Sequence, residues 1–286
     1  MPGVQNDRSF YHPGGSTGFL LVHGLGGTPV ELRYVAQGLA RAGHTVYCCQ
    51  LAGHCSTPEE LRRSTWQQWY GCVEAAHNEL RKRCDTIIAG GLSMGAILAL
   101  HLAHQRPDGV DGLALYAPSL RLDGWSMPWF SFALSWLRPW SIKIDMDMPE
   151  HEPHGIKDPR IRAFILKSML SGDASQAGSF TTPVRAYAQF NALAALVKRE
   201  LPSVTVPTLI LHPRDDDMAD LGNAQEIQRK LAGPVDSVIL DDCYHIITMD
   251  RQRQLVVDRS LMFAERLETS QQQRRYSNHR TKLIAV

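Results

Sequence analysis

The feature that most limits what this chain can become is an alternation. Short apolar runs rich in Val, Ile and Leu take turns with longer segments of helical period. The runs are "GFLLVHG" from Gly18, "TVYCCQL" from Thr45, "TIIAGG" from Thr86, "GLALYAP" from Gly112, "TLILHP" from Thr208 and "DSVILDD" from Asp236. They are apolar on both faces, as strands must be when helices cover both sides of their sheet. Between them lie helix candidates: "VELRYVAQGLARAG", "WQQWYGCVEAAHNELRKR", "MGAILALHLAHQ", "NAQEIQRKLAG" and "RQRQLVVDRSLMFAERLE". This order predicts an α/β fold, with a mostly parallel central sheet and helices on both faces.

The rhythm breaks once. From about 119 to 201 no strand candidate appears, and "DGWSMPWFSFALSWLRPW" holds four of the six tryptophans: Trp125, Trp129, Trp136 and Trp140. A patch so aromatic is expected to pack down on something. The expectation is a helical lid, residues 119–201, inserted into a core made of 1–118 and 202–268. Residues 269–286 carry four basic and no acidic side chains. They are expected to form a polar, flexible tail.

The stretch "TIIAGGLSMGAILALHLA" places Ser93 between Gly91 and Gly95, at a junction of strand and helix. So sharp a reversal strains the residue at its apex and leaves no room for side chains on either flank. The serine hydroxyl then stands at the top of the sheet. The N–H of Met94, at the start of the helix, points into the same space and supplies half an oxyanion hole. A serine needs a base, and the base needs an acid to orient it. His245 lies just past the last strand, in "CYHIITMD". Asp215, Asp216 and Asp217 follow the preceding one, in "LHPRDDDMAD". Parallel sheets present their chemistry at this edge. Spacing alone leaves the three aspartates open. The first strand ends in "HGLGGTP", where the Leu25 N–H can complete the oxyanion hole; His23 is expected to organise that loop.

Composition excludes several classes. With 30 basic and 29 acidic residues the net charge is +1, which gives no footprint for nucleic acid. Six cysteines without C-x-x-C spacing point to neither zinc nor a disulfide framework. "HEPH" at His151 has metal-like spacing but lies in a proline-broken loop with no third ligand, and "HLAH" at His101 lies on an otherwise apolar helix, so no metal and no cofactor are expected. The polar N-terminus and the lack of a long apolar run predict neither signal peptide nor membrane span, hence a cytoplasmic protein.

Taken with their contexts, "LLVHGLGGTP", "LAGHCSTPEEL", "GLSMGA", "LHPRDDDM" and "YHIITMD" resemble the α/β-hydrolase superfamily, in particular small bacterial carboxylesterases and monoacylglycerol lipases. The resemblance runs from about Gly18 to Leu267. It implies Ser93 as nucleophile, His245 as base and, from its place two before Met218, Asp216 as acid, with Leu25 and Met94 as oxyanion donors. Cys55, Ala96 and Tyr244 depart from positions where glycine is usual. Only 17 residues precede the first run, so the leading strands are expected to be shortened or missing. The function implied is a serine hydrolase of small-molecule carboxylic esters with an apolar acyl group of medium length. Trp125, Trp129 and Trp136 would line the acyl pocket. The alternatives are an acyl thioesterase or acyltransferase on the same residues, or a binding protein that kept the fold without the chemistry.

Overall fold

The computed structural model describes residues 7–127, 146–149, 152–170 and 181–284. Seven strands form the main sheet: β1 (Phe10–His12), β2 (Thr17–Val22), β3 (Thr45–Cys49), β4 (Thr86–Leu92), β5 (Gly112–Tyr116), β8 (Thr208–Pro213) and β9 (Val235–Leu240). Their spatial order is β1-β3-β2-β4-β5-β8-β9. All neighbours are parallel except β1, which pairs antiparallel with β3 at the edge. Each of the six apolar runs is thus a strand. The short beginning of the sheet is β1, three residues long, too brief to show a period. β9 differs from the expectation of two apolar faces: it is an edge strand, and most of it is only half-buried.

Two cores flank the sheet. On one side α3 (Trp66–Arg81), α4 (Met94–Gln105) and α6 (Val184–Glu200) bring Trp69, Val73, Ile97, Leu100, Phe190 and Leu193 against the strands. On the other, α1 (Arg33–Arg41) and α8 (Arg253–Ile284) bring Val35, Leu39, Val256 and Phe263. The end of the 119–201 segment, helix α6, therefore packs into the sheet's own core. α3 starts on a capping box in which Thr65 and Gln68 exchange hydrogen bonds. α2 (Pro58–Arg63) begins with Thr57 as cap and a proline in the first turn.

Two further short strands, β6 (Asp147–Pro149) and β7 (Thr181–Pro183), pair antiparallel inside the segment where the sequence shows no strand candidate. The same segment holds α5 (Pro159–Leu170). Arg62 of α2 ties β6 down through Asp147, at 2.7 Å. The remaining helix is α7 (Gly222–Lys230). Where the sequence suggests a flexible tail, α8 continues as helix through Ile284. No glycine or proline interrupts it, and Glu268 and Gln271 hydrogen-bond to Thr17 and Thr86 at the bottom of the sheet. No helix among the described residues is long and apolar enough to cross a membrane.

Candidate active site

The site is assembled at the C-terminal ends of β2, β4, β5, β8 and β9. Ser93 joins β4 to α4 with φ 56° and ψ −117°, a backbone conformation that L-residues avoid. It occupies the cap position of α4, yet its side chain makes no cap hydrogen bond. The flanks explain how the strain is held. A Cβ on Gly95 would lie 2.0 Å from the Val22 carbonyl oxygen, and one on Gly91 would lie 2.2 Å from the same atom. The elbow is pressed against the end of β2 so closely that only glycine fits. The Ser93 hydroxyl meets Ser119 Oγ at 3.2 Å, and Ser119 in turn donates to the Ala117 carbonyl.

Asp216 and His245 lie on the loops after β8 and β9. The Nδ1 of His245 is 2.8 and 2.9 Å from the two carboxylate oxygens of Asp216. Asp216 also accepts the Met218 and Ala219 N–H groups. Burial raises the Asp216 pKa, but the His245 charge and hydrogen bond, with His212 beside it, outweigh this and leave it lowered. For His245 burial opposes the cation, yet Asp216, with smaller contributions from Asp217 and Glu31, leaves its pKa raised. The geometry thus separates the three adjacent aspartates. Asp216 faces the imidazole ring. The Asp217 carboxylate is buried and takes the His245 and Gly155 backbone N–H groups instead. Asp215 gives only its carbonyl, to the Trp125 indole N–H at 3.2 Å.

The loop after β2 passes close to Ser93: a Cβ on Gly24 would sit 3.6 Å from that of Ser93. Leu25 packs at the rim, and Glu31 accepts the Gly24 N–H. Met94 opens α4, where first-turn N–H groups have no helical acceptor. His23 is fully buried and bridges two backbones, its Nδ1 meeting the Gly24 carbonyl and its Nε2 accepting the Leu51 N–H. Burial, and then His54, hold its pKa well below the ordinary histidine value. Both ring nitrogens are committed to backbone groups.

Trp125 is exposed, and its ring meets that of Tyr244, next to His245, edge-on at 5.5 Å. Trp129, Trp136 and Trp140 lie outside the described residues. An apolar cluster the sequence does not reveal stands beside the loop after β2: Met148, Val184, Tyr187 and Ala188, with Leu25 and Leu122 against it. Nothing local in the sequence reveals Ser119 or Gly155 either, because their contacts lie far along the chain. Cys55, in the loop after β3, has φ 59°, the left-handed backbone that the glycine it replaces would adopt without cost.

Residues 17–252 match the Hydrolase_4 family, described as serine aminopeptidase, S33. The chain belongs to that family. It is an α/β hydrolase of the esterase and lipase type. This hydrolase is 29% identical over 266 residues to a thermostable monoacylglycerol lipase of Bacillus sp. (strain H-257), covering 92% of this chain and 96% of the relative. It is 24% identical over 269 residues to a carboxylesterase of Bacillus subtilis (strain 168), covering 93% and 99%. Among solved structures, one reported with the metagenome-derived lipolytic enzymes LipS and LipT has a TM-score of 0.78 at 29% identity, covering 90% of the hydrolase and 97% of that chain. The monoacylglycerol lipase of Paleococcus ferrophilus, at 17% identity and a TM-score of 0.75, covers 92% and 98% and shares the fold.

Proposed function

We propose that this hydrolase cleaves carboxylic esters of medium-length acyl chains through an acyl-enzyme on Ser93. The chief support is the His245 ring. With Nδ1 held by both oxygens of Asp216, its other nitrogen is the one left to take a proton. In this mechanism the substrate's arrival turns the Ser93 hydroxyl from Ser119 to His245. The hydroxyl attacks the ester carbonyl as His245 accepts its proton, and the oxyanion rests on the Leu25 and Met94 N–H groups. Asp216 holds the tautomer and stabilises the imidazolium, which then protonates the departing alcohol. Water, activated by His245, releases the acid and restores Ser93.

The acyl chain would lie against the cluster of Met148, Val184, Tyr187 and Leu25, with Trp125 and its neighbours in the 119–201 segment acting as a lid. Each methylene buried there contributes roughly 0.8 kcal/mol, about fourfold in affinity. The kcat/KM of p-nitrophenyl esters is therefore expected to rise from acetyl to about hexanoyl or octanoyl and then level off. Trp125→Ala and Met148→Ala are expected to flatten the rise. A preference for acetyl in the wild type refutes the chain-length assignment. A serine-reactive phosphonate is expected to label Ser93, and label on any other residue refutes the nucleophile. The family description names a peptidase, whereas the relatives above are a lipase and a carboxylesterase. Matched acyl esters, thioesters and aminoacyl amides decide the leaving group.

A further inference from the structure

Two carboxylates beside the site, Asp217 and Asp250, are both fully buried. Each spans the same gap. Asp217 accepts the His245 N–H at 3.2 Å through one oxygen and the Gly155 N–H at 2.9 Å through the other. Asp250 accepts the Tyr244 N–H at 2.9 Å, the Lys157 N–H at 2.8 Å and the Asp158 N–H at 3.0 Å. On one side of both carboxylates is the loop that carries the base. On the other is the turn 152–158, part of the inserted segment. A direct bond, Ile246 N–H to the Gly155 carbonyl at 2.8 Å, closes the seam. Gly155 has φ +72°, and a Cβ there would come 2.6 Å from Ile246 Cγ1 and 3.3 Å from His245 Cβ. The turn therefore lies directly on the base.

The insertion grips the acid loop as well. The Ser126 N–H and hydroxyl both donate to the Asp217 carbonyl, and the Gly124 N–H to that of Met218. A buried carboxylate is costly unless its oxygens are satisfied by donors. Here the donors that satisfy the two carboxylates come from both the inserted turn and the base loop.

We infer that Asp217 and Asp250 are positioning residues that couple the inserted segment to the catalytic base, so that the 152–158 turn is part of what sets His245 in place. This rests on His245 acting as the base. Neither carboxylate reaches the substrate. Each fixes the backbone from which the imidazole projects, and misplacing a catalytic group by about 1 Å can cost on the order of 10²-fold in rate. Charges facing His245 come from Asp216 and Asp217 on the acid loop and from Glu31 on the oxyanion loop, with His212 behind Asp216.

The test uses the full chain with Asp217→Asn, Asp250→Asn and Gly155→Ala. The asparagines keep the shape but turn an amide N–H₂ toward a backbone donor, which breaks one side of the bridge. Both are expected to lower kcat by about 10- to 100-fold with KM within about threefold. Phosphonate labelling of Ser93 should slow in parallel, and amide exchange should quicken in both 152–158 and 243–250. Asp217→Asn should also move the acid limb of kcat/KM to lower pH, because a negative charge beside His245 is lost; a merely structural role would lower the folded fraction without the kcat loss at unchanged KM. Gly155→Ala, made from the insertion side, should reproduce the kcat loss. Folded fraction from near-UV circular dichroism corrects every rate. Labelling of both asparagine variants at the wild-type rate, or faster exchange in one loop alone, overturns the coupling. A wild type that does not label at Ser93 overturns the nucleophile instead, and the exchange result still decides the coupling.

Discussion

The two halves of the site are held in place by different physics. On the Ser93 side, position comes from sterics. Gly91 and Gly95 lie against the end of β2, and Ser93 takes a strained φ because nothing else closes the turn. Among the described residues the Ser93 hydroxyl itself has one partner, Ser119, at 3.2 Å. On the His245 side, position comes from hydrogen bonds. Asp216, Asp217 and Asp250 fix the His245 ring and its backbone, almost entirely with buried groups. Ser93 is thus set by what cannot fit, and His245 by what must be paired. A steric setting tolerates no added atom. A bonded setting tolerates added atoms better than a lost charge or acceptor.

The largest effects are expected from changing one side chain in each half. Ser93→Ala is expected to lose about 10³-fold or more in kcat. Asp216→Asn should lose a similar factor by allowing the wrong tautomer, and far more than Asp215→Asn. A larger loss at Asp215 refutes the assignment of the acid.

Next comes the steric half alone. Gly95→Ala adds a single methyl, 2.0 Å from a carbonyl oxygen. It should destabilise the protein by about 1–3 kcal/mol, read as a lower denaturation midpoint. The molecules that remain folded should turn over at least about tenfold more slowly. A neutral Gly95→Ala would mean the elbow is not a close-packed device.

The bonded half has a pH signature. The His245 pKa is raised, so the imidazole is protonated over a wider range than a free one. As pH falls through that raised value the base is lost and kcat/KM falls with it. The acid limb is therefore expected above about pH 6.5. A limb below that value would show that burial outweighs Asp216.

The smallest effect sharpens the contrast. If backbone shape sets the nucleophile, the Ser119 contact matters little. Ser119→Ala should change kcat/KM by no more than about threefold. A loss near that of Ser93→Ala would make Ser119 part of the chemistry.

Periodicity reveals an element when it runs long enough to repeat. β2, β4, β5 and β8 are five to seven residues long, mostly apolar and buried throughout, and their order, with β9, places Ser93, Asp216 and His245 at one edge of the sheet. β1, β6 and β7 are three residues each, and three residues carry no period. The helix from Glu268 to Ile284 is hidden for a different reason: its sequence lacks an apolar stripe, and its first turns are fixed by polar bonds to Thr17 and Thr86. At the site, spacing leaves Asp215, Asp216 and Asp217 open, and only the family resemblance, through the place two before Met218, singles out Asp216. The work of its neighbour Asp217 depends on Gly155, 62 positions earlier, and nothing local to either residue records that contact.

The strand order has a consequence for how the chain matures. β5 hydrogen-bonds on one side to β4 and on the other to β8, and residues 117–207 separate β5 from β8. During synthesis, at about 5–20 residues per second, the outer edge of β5 stays bare for roughly 5–20 s while the aromatic insertion emerges. An uncovered strand edge beside nascent tryptophans is where neighbouring chains would pair. The newborn polypeptide is thus most vulnerable to misassembly in that interval, and a chaperone that engages it then would have the most to protect.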